Sequence, residues 1–281
     1  MSAENSLYTL LSEKIKQNTL VLPTLPEIAY KVRKAADDPE IHLNQMSDLI
    51  IQDPSLSLGV IRFANSALLG RSVKVETVSQ AVTRIGLRQI KSLATAVVLE
   101  QVFVSKNETV AMYMNKYWMK SIHVACVAMI LLNRYLQENK HANLSIDTLA
   151  LAALVHNIGV LPILTEAENH TEVFANPTFL QQAIAKFSGE LGGSITRAWG
   201  FSAEFSELAE QWSNLKVIPK EVHYLDFIRA GAIREGVFKN PNTQKVLLNS
   251  YVNKGILPEE DFMDSDGFID EFEALKKTFI V

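Results

Sequence analysis

One cysteine, Cys126, stands in a chain of 281 residues. A lone thiol excludes an intramolecular disulfide and any zinc cluster built on paired thiolates, and it suits a reducing compartment. Glycine (12) and proline (9) are sparse, so long disordered linkers are not expected. Positive charge is not in excess: 27 Lys and Arg against 31 Asp and Glu leave a net charge of −4. That balance disfavours a generic polyanion binder, because non-specific nucleic-acid affinity comes from neutralising phosphates. Met1 to Leu22 lacks the continuous apolar core of a secretory signal. The longest apolar run, Leu149 to Leu164, is broken by His156, Asn157 and Pro162 and is shorter than a membrane span needs. A cytoplasmic chain with no membrane and no nucleic-acid partner is the expectation.

What is present is helical spacing, with almost no strand-like alternation. Leu7, Leu10, Leu11 and Ile15 form one stripe. Thr24 and Glu27 have capping-box spacing around Pro26, predicting a helix that ends before Pro39. Asp53-Pro54 reads as an N-cap followed by an N1 proline for a helix through Leu56, Val60 and Ala64, closed near Asn65-Ser66 and Gly70. Val78 to Ile85 is a short helix with Gly86 placed for a left-handed C′ residue. Further helices are predicted from about Met112 to Leu136, Ile146 to His156, Phe179 to Phe187, Gly192 to Trp199, Ala203 to Trp212 and Val222 to Ile233. Polar residues at 105–109 suggest a boundary between lobes. The class is all-α.

Several motifs fall in a fixed order along this pattern. They are Leu22-Pro23-x-Leu25-Pro26, Asp53-Pro54-x-Leu56, Asn65-Ser66 and Ala81-Val82-x-x-Ile85-Gly86. Trp118-x-x-Ser121-x-x-x-Ala125, Ala153-Leu154-x-His156-Asn157-Ile158-Gly159, Gly193 and Trp199-Gly200-Phe201 follow. Each is weak alone, and caps and breakers explain most of the residue types. Taken together, the stretch from Leu22 to Ile233 resembles the HDOD family, relatives of the HD-domain metal-dependent phosphohydrolases. The resemblance implies a multi-helix HDOD domain over 20–235, with an N-terminal helical lobe (about 1–105) packed on a degenerate HD-like lobe (about 106–235). Residues 236–281 are then a helical tail packed on the domain.

The resemblance also locates what the chain lacks. Active HD-type enzymes group histidines and aspartates around divalent metal, which acidifies water and stabilises phosphoryl charge. The paired His-Asp position here reads His156-Asn157, and a neutral amide binds a dication far more weakly than a carboxylate. Lys120-Ser121 stands where many relatives have His-Ser, and a protonated lysine has no lone pair to give. Trp212-Ser213 replaces paired histidines, and Asp226 is loosely aligned with the last family aspartate. The implied remnant is a vestigial cleft of Lys120, Ser121, His156, Asn157, Trp212 and Asp226, with no catalytic group, metal or cofactor. The one rescue is a mononuclear set of His123, His156 and Asp226, His123 lying three residues beyond Lys120 on the same helix.

Two further patterns imitate functional motifs. Asp264-x-Asp266-Gly267 resembles a calcium loop, but Phe262 would occupy the first ligand position, so an Asp-rich turn entering a final helix is expected. Val78 to Val97 resembles a helix-turn-helix with only Arg84, Arg88 and Lys91 as cations. Three function classes follow: a non-catalytic signalling module acting on protein partners in trans, a metal-dependent phosphohydrolase, and a nucleotide or phosphate sensor using the vestigial cleft.

Overall fold

The computed structural model describes residues 3–69, 73–170 and 177–279. Every regular element among them is helical. In chain order these are α1 (Ala3–Lys16), α2 (Glu27–Ala36), α3 (Leu43–Ile51), α4 (Pro54–Ala64), α5 (Val78–Ile85), α6 (Leu87–Val98) and α7 (Glu108–Glu138). They continue as α8 (Ile146–Val155), α9 (Val160–Ala167), α10 (Pro177–Ala198), α11 (Ala203–Gln211), α12 (Tyr224–Arg234), α13 (Pro241–Asn253) and α14 (Asp266–Lys276).

The chain divides into two compact units, each drawn from three stretches. The first holds Met1–Leu25, Glu100–Ser121 and Leu154–Ile218; the second holds Pro26–Leu99, Ile122–Ala153 and Pro219–Val281. The 105/106 boundary drawn on the sequence falls inside the Glu100–Ser121 stretch.

In the first unit α10 packs on α9, α11 and α1. Tyr8 of α1 meets the Phe187 ring at 5.0 Å, and Lys14 pairs with Glu166 of α9 at 2.8 Å. Trp199 Nε1 donates to the Pro23 carbonyl at 2.9 Å, fastening the Leu-Pro turn. The sequence predicts two helices where α10 is continuous. Its glycines do not break it because they admit a neighbour: a Cβ on Gly189 would lie 2.5 Å from the Glu210 carbonyl of α11. Glycine there exchanges helix propensity for close backbone approach.

In the second unit α2 and α4 both pack on α6, and α5 bridges α3 and α4. Asp53 caps α4 as predicted, its Oδ1 accepting from Leu56 N–H at 2.8 Å with Pro54 in the first turn. Thr24 does not cap α2; Pro26 is the N-cap residue and no side chain accepts there. Gly86 has φ 89° and ψ 153°, which is positive but not the left-handed helical conformation expected. Only glycine adopts it readily, and it lets α6 begin directly after α5. Gly70, expected to help close α4, lies outside the described residues.

The apolar run is longer than its sequence suggests. Ile146–Ala167 is long and apolar enough to cross a membrane by length and composition; its most apolar window has mean hydropathy 1.8 and is 89% buried in the fold. The His156–Gly159 turn keeps short backbone bonds, Ile158 N–H to Val155 and Val160 N–H to Asn157, so the run is not unwound there.

Candidate functional site

His156 and Asn157 sit on the turn between α8 and α9, and local packing explains their setting. Gly159, two residues on, lies against α10 so closely that a Cβ would fall 1.9 Å from the Ser188 carbonyl. That contact presses the turn into the core. The His156 side chain is buried and meets the Trp212 ring edge-on at 4.5 Å, with planes 89° apart. Such T-shaped contact is favourable packing, not ligation.

Asn157 is 8% exposed, and its Oδ1 has no hydrogen-bond partner among the described residues. Ser121 Oγ, on the buried face of α7 within the same unit, also lacks one. Unpartnered polar atoms of this kind are few in folded proteins. Lys120 precedes Ser121 and is half-buried.

Asp226 belongs to the second unit. Its carboxylate accepts from His223 N–H at 3.0 Å, closing the first turn of α12, and from Lys254 Nζ at 2.8 Å. His223 Nδ1 in turn accepts from Leu225 N–H at 3.3 Å. Arg229 and Tyr251 are fully buried beside this carboxylate. Burial lowers the Arg229 guanidinium from its ordinary range, opposed by Tyr251 and Asp226. Burial, reinforced by the negative charge of Asp226, pushes the Tyr251 phenol upward. Lys254 also donates to the Pro219 carbonyl at 3.0 Å. Sequence reasoning missed this group. Only the i, i+3 spacing of Asp226 and Arg229 hinted at it, whereas Tyr251 and Lys254 arrive from another helix.

His123, half-buried on α7, places Nδ1 3.1 Å from Glu235 Oε2 and its ring 5.5 Å from that of Phe272. Sequence reasoning did not single out Glu235. Among the described residues no three His, Cys, Asp or Glu side chains are grouped so as to hold a metal ion. The chemistry agrees with that geometry: an imidazole against an indole and a neutral amide supply little charge to a dication. The residues present therefore do not fit the metal centre that the HD relatives imply.

The two imitations resolve structurally. Ser265 Oγ caps α14 at Phe268 N–H, and Phe262 packs its ring on Phe268 at 5.5 Å and beneath Arg134 at 4.5 Å. In the helix-turn-helix look-alike, Ile90, Leu93, Ala94 and Ala96 are core residues. Arg84 donates to the Ala64 and Val73 carbonyls, and Lys91 pairs with Asp37. These cations secure the second unit's own loops.

Comparison with known proteins places this geometry in context. The HDOD domain profile matches residues 22–215. A candidate metal-dependent phosphohydrolase from Shewanella amazonensis SB2B has a solved structure that is 41% identical, covers 100% of both chains and superposes with a TM-score of 0.93. A structure described as that of a candidate signal transduction protein from Marinobacter aquaeolei VT8 is 20% identical over 99% of this chain and 66% of its own, with a TM-score of 0.62. An uncharacterised protein of Treponema pallidum (strain Nichols) is 22% identical over 225 residues, 76% of this chain. The chain spans 42% of that relative's length. With a family match over most of its length and a full-length relative of the same architecture, the chain belongs to the HDOD family.

Proposed function

We propose that this chain is a cytoplasmic, non-catalytic signalling module that acts on protein partners in trans. The observation that carries the reading is the pairing of His156 with Asn157, where hydrolysis would need a charged ligand, in a chain whose described residues group no three metal-ligating side chains. Without a bound dication there is no acidified water and no counter-charge for a phosphoryl transition state. The Marinobacter relative's description as a signal transduction protein accords with this role. On this reading the first unit's Lys120, Ser121, His156, Asn157 and Trp212 serve its stability, and Asp226 serves that of the second unit through Lys254.

The Shewanella relative's description favours the rival, a metal-dependent phosphohydrolase. Elemental analysis of purified protein, with a phosphate-ester panel assayed in added manganese, separates the two. The expected result is no stoichiometric iron, manganese or zinc and no ester hydrolysis; about one tightly held metal per chain with turnover overturns the proposal. Ser121 Oγ and Asn157 Oδ1, unpartnered among the described residues, support a third reading, a small-ligand sensor. A nucleotide that raises the melting temperature in a thermal-shift screen would establish it, because a ligand selective for the native state stabilises it.

A further inference from the structure

An open groove of about 530 Å³ indents the second unit. Ile61 and the buried Val75 line its apolar part, and its described lining carries the cations Arg62, Lys74 and Lys277 with the acid Glu76, Glu273 lying near enough to Lys277 to feel its charge. On a chain of net charge −4 this is a local reversal of sign. Lys74 and Lys277 are exposed, and neither forms an ion pair among the described residues.

The walls are held in place. The Asn65 amide donates to the Val75 carbonyl and accepts from its N–H, both at 2.7 Å. Thr278 Oγ1 donates to the Leu275 carbonyl at 2.6 Å, and the Phe279 ring meets Phe63 edge-on at 6.4 Å. A surface already ordered loses less entropy on binding.

Exposed apolar residues lie toward the start of α4. Leu58 lies three residues before Ile61 and four before Arg62, hence on the same helical face. Leu58 is 44% exposed, and Ile51, at the end of α3 just before the α4 cap, is 56% exposed. An exposed leucine one turn from a cationic groove on the same helical face suits an amphipathic helix that carries acids. A free phosphate would leave Leu58 and Ile51 unaccounted for, and small-molecule sites are ordinarily more enclosed.

We infer that this groove and the adjoining face of α4 dock an acidic, amphipathic helical segment of a partner protein. The inference rests on the protein-binding reading above and names the surface and the partner's chemistry. The test is fluorescence anisotropy on the full chain with a labelled synthetic peptide of leucine and glutamate at helical spacing. Controls are the same peptide with glutamine for each glutamate, and inorganic phosphate as competitor. The acidic peptide is expected to bind more weakly as salt rises, and about tenfold more weakly to Lys74→Glu/Lys277→Glu. Leu58→Ser is expected to cost about threefold. Circular dichroism checks that both variants fold; their positions are exposed. Absence of binding, equal binding of the glutamine peptide, unchanged affinity in the double variant, or loss to phosphate with Leu58→Ser neutral would each overturn the surface. Should wild type and double variant cross-link the same cellular partner equally, the surface fails while the protein-binding reading stands. Stoichiometric metal with ester turnover removes that broader reading whatever the peptide does.

Discussion

Asp226 and Asn157 are both buried, yet among the described residues the carboxylate has an ion-pair partner and the amide oxygen has no hydrogen-bond partner. Asp226 has Lys254 at 2.8 Å and a backbone N–H at 3.0 Å, with Arg229 buried nearby. Asn157 Oδ1 has no partner, and its neighbour His156 packs on an indole. The difference teaches where this fold retains ionic groups. A buried charge is tolerated when counter-charge and hydrogen bonds surround it. The turn at His156 instead depends on close packing, with Gly159 against Ser188 as its tightest point.

That comparison can be broken at the packing end first. Gly159→Ala should cost about 4 kcal/mol, the largest effect expected, because its Cβ must displace helix backbone and not a flexible side chain. Urea denaturation measures it; a loss under about 1 kcal/mol would mean that the turn is not set by this contact. At the charged end, Lys254→Met should cost about 3 kcal/mol by leaving Asp226 buried without its ion pair. A neutral outcome would show that Arg229 and the α12 cap suffice.

Asn157→Asp carries the comparison across, placing a carboxyl where the amide stands. The new carboxyl meets a desolvated position, so its folded pKa should rise above the unfolded value. Its stability is then intact at low pH and is lost as pH rises through that raised pKa, by about 2 kcal/mol between about pH 5 and pH 8. A flat profile, or recovery on adding manganese, would show a hidden counter-charge or metal site.

The smallest effect is at Tyr251, whose hydroxyl is buried without a hydrogen-bond partner. Tyr251→Phe should be neutral or stabilising by up to about 1 kcal/mol near neutrality. Since the folded phenol titrates above its ordinary value of 10.0, its stability is complete below that pH and lost above it. The variant should therefore unfold less readily than wild type in alkali. Equal alkaline sensitivity would assign that loss elsewhere, with the buried Cys126 thiol, also pushed upward by burial, as the next group to replace.

Local chemistry made much of the fold legible. Asp53-Pro54 announces α4 because an N-cap acceptor and a donor-free N1 residue act within one turn. Thr24 misled because the same spacing is present where proline itself takes the cap position. The split of α10 misled because glycine reads as a helix breaker unless the neighbour that needs it is known. At the candidate site, the missing carboxylate was visible as a letter, Asn157. What surrounds it was not.

Residue types and their order along the chain determined the helical class, the family pattern and the shortage of anionic ligands, because periodicity and side-chain chemistry are local properties. Only the tertiary structure decided that His156 meets Trp212, that His123 turns to Glu235 and that Asp226 is paired with Lys254. Each of those contacts joins residues more than twenty positions apart, and no sequence spacing encodes which distant helix will supply a partner.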